Sequence, residues 1–223
     1  MQKNNITETK TINGFYKTIV DQVKKQFKLA IEEKGFFSLV LTGGNTPLLL
    51  FEKLKNVKKT EIDWSKVYIF WADERCVLQN SSDNNFFNAN ERFLKDLNLG
   101  GVFPINTMLS PQESATKYQQ IKDSFFFEKK VNSFDMVLLG MGLDGHIASV
   151  FDSKQNHEEK DVYCTKDDSF SRVTMSLKLI NEINFKLLML KGIKKIDYFF
   201  LPSVNQPKDK VNYDLIVTYN DSI

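Results

Sequence analysis

The residues best equipped for chemistry sit at the end of one apolar run. Asp135-Met136-Val137-Leu138-Leu139 leads into Gly140-Met141-Gly142-Leu143-Asp144-Gly145-His146. A strand that passes into a glycine-rich turn and then presents a carboxylate and an imidazole two residues apart is how open α/β sheets build sites at strand C-termini. His146 is one of only two histidines in the chain. An imidazole ordinarily titrates near ~6.5, so a positioned histidine serves as a base around neutral pH. Three readings of the turn are open. Gly140, Gly142 and Gly145 have the spacing of a dinucleotide-binding fingerprint. That motif also needs a sizeable helix and a second strand, whereas Ile147 to Phe151 is soon followed by the polar run 152–161. The second reading is a plain glycine turn with a solvated histidine. The third is a catalytic Asp-His pair, in which the two side chains touch only if the turn is sharp.

A second chemical feature is Thr42-Gly43-Gly44-Asn45-Thr46-Pro47, between the apolar run 36–41 and a helical run from Leu48 to Leu54. Free backbone N–H groups and the dipole at such a helix start favour an anion. The structural alternative is an ordinary strand-to-helix turn, with Thr46 as N-cap and Pro47 in the first helical position. A third feature, Asp73-Glu74-Arg75, follows the strand-like Val67–Trp71, and a salt bridge from Arg75 to Asp73 or Glu74 is its structural alternative. Arg172 and Lys195, taken alone, read as surface cations, and His157 in its charged run reads as solvated. Cys76 and Cys164 lie far apart without a metal-ligand spacing, which argues against a disulfide framework or a zinc site.

These groups need a scaffold, and periodicity supplies one. Apolar residues at three- and four-residue steps predict a helix from about Asn13 to Glu33, ended by Gly35. Further helices are expected at 86–97, from Pro111 to about Phe126 with Glu113 in its first turn, and briefly at 177–181. Strands are expected at 36–41, 67–71, 135–139, 186–190 and 213–218. The segment 79–85 reads as loop, 152–169 as a polar loop, 192–195 as the start of a helix or turn, and Phe125-Phe126-Phe127 as a buried helix end. Nearly continuous apolar strands alternating with helices imply an α/β, Rossmann-like fold with a mostly parallel sheet and helices on both faces. With 223 residues, no repeat and no linker, the whole of 1–223 reads as a single domain. Parallel strands gather their C-termini on one edge, so Gly43, Asp73, Arg75, Asp144 and His146 are expected in one cleft.

A net charge of +2 and a pI near 8.3 are too balanced to argue for nucleic acid. No window approaches the ~18 apolar residues of a membrane span, and the polar N-terminus carries no apolar signal region. A soluble, cytoplasmic protein is expected.

The three motifs, with Gly145-His146-Ile147-Ala148-Ser149-Val150-Phe151, Arg172-Val173-Thr174-Met175 and Gly192-Ile193-Lys194-Lys195, occur in an order that resembles the 6-phosphogluconolactonases, a family related to glucosamine-6-phosphate deaminase. The resemblance implies hydrolysis of 6-phospho-D-glucono-1,5-lactone to 6-phosphogluconate in the oxidative pentose phosphate pathway, without metal or cofactor. It implies catalytic roles for His146, Asp144 and Arg75, with His146 as general base and Asp144 orienting the imidazole or the water, or instead binding a sugar hydroxyl. Substrate and its phosphate would be held by Thr42, Gly43, Gly44, Asn45, Thr46, Asp73, Arg172 and Lys195, or by Lys194 after a one-residue slip. Functional coupling to glucose-6-phosphate dehydrogenase is a further implication. The chain departs from the family pattern at Leu78 and at Asn84-Asn85-Phe86, which touches loop geometry more than chemistry, and at Asp152, where the family usually has proline, which bears on the loop after His146. The deaminases carry a glutamate shortly after the histidine and a tyrosine at the position of Arg75, and neither is found here. A non-catalytic sugar-phosphate-binding module is the reading from a different class.

Overall fold

The computed structural model describes residues 5–152, 159–203 and 206–221; His157 lies outside them. The elements run β1 (Asn5–Thr9), α1 (Ile12–Lys34), β2 (Phe37–Leu41), α2 (Asn45–Lys55), β3 (Val67–Trp71), β4 (Asp73–Arg75), α3 (Asn85–Arg92), β5 (Gly101–Val102), α4 (Pro111–Lys129), β6 (Met136–Leu139), β7 (Val162–Lys166), β8 (Ser171–Met175), α5 (Leu177–Glu182), β9 (Phe185–Lys191), α6 (Ile193–Phe200) and β10 (Leu215–Tyr219). Seven strands form one sheet in the order β1-β10-β9-β6-β2-β3-β5, every neighbouring pair parallel. All residues of β2 and β6 are buried. Because successive side chains point to opposite faces, both sides of the sheet centre are covered, as the apolar runs required.

The helix boundaries follow from local chemistry. Thr11 caps α1 by accepting from the Gly14 amide, and Gly35, at φ 80°, closes it in the left-handed conformation that glycine adopts most easily. Ser110 and Glu113 form a capping box ahead of α4, with Pro111 in the first turn. Asp135 ties the entry of β6 to that of β2, accepting from the Ser38 amide at 2.7 Å and pairing with Lys34 at 2.7 Å. Beneath α4, Phe125 packs against Phe70 and Phe103 with centroid distances of 4.8 and 5.8 Å. Each such ring stabilises the fold by roughly 1.5–3 kcal/mol. The expected buried Phe triplet is thus corrected in part: Phe125 is in the core, while Phe127 is 86% exposed on the opposite side of the helix.

Five strands, β1, β4, β5, β7 and β8, are not expected from the sequence. Polar β1 adds to the sheet edge beside β10, and β7 occupies part of the stretch expected as loop. The latter belongs to a second, antiparallel sheet in the order β4-β8-β7. Ala72 joins the two sheets, its amide donating to Leu41 and its carbonyl accepting from Met175. That junction carries Asp73 and Arg75 off the end of β3 and lays them beside the C-terminal end of β2. The expected helix 86–97 stops at Arg92 and resumes as a 3-10 turn at Leu94–Asp96.

Candidate active site

The loop after β2 is shaped by what its glycines permit. Gly44 has φ 95° and ψ 178°, a conformation essentially restricted to glycine, and serves as N-cap of α2 without any side-chain cap. The expected N-cap at Thr46 is therefore corrected. The chain turns two residues earlier, so Thr46 and Pro47 lie within the first helical turn and the leading amides are left for an outside acceptor. Gly43 has a different reason to be glycine. A Cβ there would lie 1.8 Å from Asn85 Oδ1, because the Asn85 carboxamide is packed against its backbone. Thr42 anchors the loop by donating to the Leu138 carbonyl at 3.0 Å.

On the opposite wall, β4 presents three charged residues in three different settings. Asp73 is buried, accepts from Ser149 Oγ at 2.6 Å and gives its carbonyl to Asn85 Nδ2. Glu74 is fully buried and accepts from the amides of Arg75, Asn85 and Phe86, two of them opening α3. Burial nevertheless outweighs those donors and pushes its carboxyl up to about 7. Among the described residues Arg75 forms no ion pair; its Nη1 donates to the Asp83 carbonyl at 2.8 Å and its buried Nε has no acceptor.

The Asp-Gly-His turn is sharp enough for direct contact. Gly145 adopts φ 85°, and His146 Nδ1 lies 2.6 Å from Asp144 Oδ1. With Nδ1–H donating to the carboxylate, the lone pair falls on Nε2. The turn is closed by the Gly142 amide donating to His146 O at 3.0 Å, and a Cβ on Gly142 would meet the imidazole at 2.3 Å. Among the described residues no helix of dinucleotide-binding type follows before β7, only short bridges between Met141, Ile147 and Val150. From outside, Tyr198 donates to the Asp144 carbonyl at 3.1 Å and the Lys208 amide to that of Gly145 at 3.1 Å.

One cleft of about 290 Å³ collects these groups. Thr42 to Thr46 form one end, Asp73, Arg75 and His146 line its walls, and Arg172 and Lys195 reach it from β8 and α6. Asp144 stands behind the imidazole, its side chain 61% exposed and off the cleft wall. Arg172 is partly engaged already: Nε and Nη2 meet Asp167 Oδ2 at 2.8 and 2.5 Å, and Nη1 is 4.0 Å from Asp73. Its guanidinium lies 5.5 Å from the ring centroid of Phe151 and 5.6 Å from that of Phe170. Lys195 lines the cleft while Lys194 is exposed. Burial lowers the Lys195 pKa, with the Asp144 charge acting in the opposite direction.

Sequence reasoning missed Asn85 and Ala148, which also line the cleft, and Ser149, which holds Asp73. Asn84 in front of Phe87, an N-cap signal confirmed by its Oδ1, was the available clue to a helix starting at the wall. Among the described residues no cluster of His, Cys, Asp or Glu is arranged to hold a metal, and no helix is long and apolar enough to cross a membrane.

Known proteins resemble this chain in sequence and in fold. The family described as glucosamine-6-phosphate isomerases/6-phosphogluconolactonase matches residues 11–210. A 6-phosphogluconolactonase of Thermotoga maritima is 30% identical over 190 residues, covering 83% of each chain. The probable 6-phosphogluconolactonase 1 of Arabidopsis thaliana is 34% identical over 201 residues, covering 82% of this chain and 74% of its own. A crystal structure of the Thermotoga maritima protein matches with a TM-score of 0.85 and 29% identity over 97% of this chain and 98% of that one. The chain belongs to the glucosamine-6-phosphate isomerase/6-phosphogluconolactonase family.

Proposed function

We propose that the protein hydrolyses 6-phospho-D-glucono-1,5-lactone to 6-phosphogluconate, with residues 1–223 acting as one catalytic domain. The observation that carries the reading is that a single cleft holds an Asp-supported imidazole, an arginine with an unspent donor and a helix N-terminus flanked by two cations. The cleft volume is near the lower end of the ~300–1,000 Å³ range of small-molecule sites, a size suited to one sugar phosphate.

In this reading the phosphate rests on the amides of Gly44 to Thr46, with Lys195 and the free side of Arg172 balancing its charge. His146 Nε2 takes a proton from water as the water oxygen attacks the lactone C1. Asp144, hydrogen-bonded to Nδ1, orients the ring and stabilises the imidazolium that forms. The carbonyl oxygen becomes negative in the tetrahedral intermediate, and Arg75 supplies the donor for it. Collapse breaks the bond between C1 and the ring oxygen, which recovers the proton from Nε2 and leaves as a hydroxyl. Protein side chains perform every step, so turnover is expected to persist in EDTA. The reading brings with it the oxidative pentose phosphate pathway, a cytoplasmic setting and functional coupling to glucose-6-phosphate dehydrogenase.

The deaminase alternative calls for a glutamate shortly after the histidine turn, and residues 147–152 offer Asp152 as their one acid and no glutamate. Side-by-side assays on freshly prepared lactone and on glucosamine 6-phosphate separate the two. Acceleration of lactone opening above the spontaneous rate, without ammonia release from the amino sugar, is expected; the reverse pattern contradicts the proposal.

A further inference from the structure

α6 carries Lys195 to the cleft, yet none of its residues is buried. Ile196, Tyr198 and Phe199 are only half-buried against the core, so packing holds α6 in part and polar ties at its C-terminal end add to it. Lys208 is placed to supply them. Its side chain is 1% exposed, and its ammonium group spends three hydrogen bonds: on the Phe199 carbonyl at 3.1 Å, the Leu201 carbonyl at 3.2 Å and Asp209 at 2.9 Å. The first two acceptors are the carbonyls of the last turn of α6 and of its C-cap Leu201, where a positive charge also matches the helix dipole. The same residue reaches the catalytic turn through its main chain, the Lys208 amide donating to Gly145 O. A Cβ on Gly145 would meet Tyr198 at 2.9 Å, Gln206 at 3.1 Å and Lys208 at 3.5 Å, so the turn is seated directly on this assembly. Tyr198 adds a second tie from α6 through its hydroxyl to Asp144 O.

We propose that Lys208 is a positioning residue that fastens α6 to the Asp144-Gly145-His146 turn and so fixes the separation between Lys195 and the imidazole. The inference rests on the lactonase reading for its kinetic form. A displacement of about 1 Å costs roughly 10²-fold when reacting groups must be aligned. Loss of the clamp should therefore appear in both kinetic constants, with KM rising through Lys195 and kcat falling through His146.

The test is a double-mutant cycle on 6-phosphoglucono-lactone with Lys208→Met, Lys195→Ala and their combination. Lys208→Met is expected to raise KM about 10-fold and lower kcat about 10-fold. In the Lys195→Ala background it should leave KM where Lys195→Ala alone put it and still lower kcat. Multiplying effects on KM, or wild-type constants accompanied only by a lower Tm, overturn the proposal. If Lys208→Met does not fold, Tyr198→Phe decides: about 3-fold lower kcat at unchanged Tm is expected, and wild-type kcat refutes the clamp. A wild type without lactonase activity would count against the function and not against the clamp. The same non-additivity is then sought in calorimetric binding of glucose 6-phosphate, where additive losses refute it.

Discussion

The two ends of the cleft are built on opposite plans. At the Gly43-Gly44 end the chain provides empty space and bare amides, held by a buried sheet strand and by the Asn85 carboxamide packed against Gly43. At the His146 end the working group is a side chain on a solvent-facing turn, held by Asp144, by Gly142 and Gly145 and by ties from α6 and residue 208. Binding a charge that is present in both substrate and transition state asks only for donors in a fixed frame. Moving a proton asks for one ring at one angle. The difference teaches that damage at the first end should be read mainly in KM and damage at the second mainly in kcat.

The sharpest way to break that comparison is to add one methyl group to each end. Gly142→Ala puts a Cβ 2.3 Å from the imidazole and 2.4 Å from Asp144 Oδ1, so the pair must separate. Steady-state assays are expected to show kcat lower by about 10²-fold with KM within a few-fold of wild type. Gly43→Ala instead displaces Asn85 and should be seen first in KM. Equal changes in kcat at both positions would erase the proposed division.

A smaller effect is expected at Arg172. Its guanidinium is already shared with Asp167, so Arg172→Ala should raise KM about 10-fold and change kcat little. A fall in kcat matching that in kcat/KM would assign it a role in the transition state and move it to the other side of the comparison.

The least drastic contrast concerns stability and not turnover. Burial raises the folded-state pKa of Glu74 from its ordinary value of 4.5 to about 7. Between those values the native state holds a proton that the unfolded chain releases, so stability falls as pH rises from about 4.5 to about 7 and then levels. Denaturant titrations across that window should show the decline, on the order of a few kcal/mol at most. Glu74→Gln should flatten it. A wild-type profile that climbs through the same window would mean that the three amides outweigh burial.

The same contrast explains what was legible in the sequence. The parallel core could be read because β2, β6 and β9 carry the unbroken apolar runs 39–41, 136–139 and 187–190, and both glycine motifs could be read because a tight turn leaves few alternatives to glycine. β1 and β7 escaped notice because edge strands are half exposed and carry polar residues such as Asn5, Thr7 and Lys166. Thr46 was taken for a cap by residue type, whereas the backbone at Gly44 decided where α2 begins. Asn85, Ser149 and Lys208 could not be found locally. Each acts through a partner distant in the chain, respectively Gly43, Asp73 and Gly145. The contact between Asp144 and His146, left open by spacing alone, is made possible by the positive φ of Gly145.

The most direct test of the account is kcat for His146→Ala on fresh 6-phosphoglucono-lactone in EDTA, paired with calorimetric binding of 6-phosphogluconate. The account predicts a loss of about 10²–10⁴-fold in the enzymatic rate with product affinity retained, as expected when a positioned base is removed from an otherwise intact cleft. Turnover equal to wild type would contradict the role assigned to this imidazole.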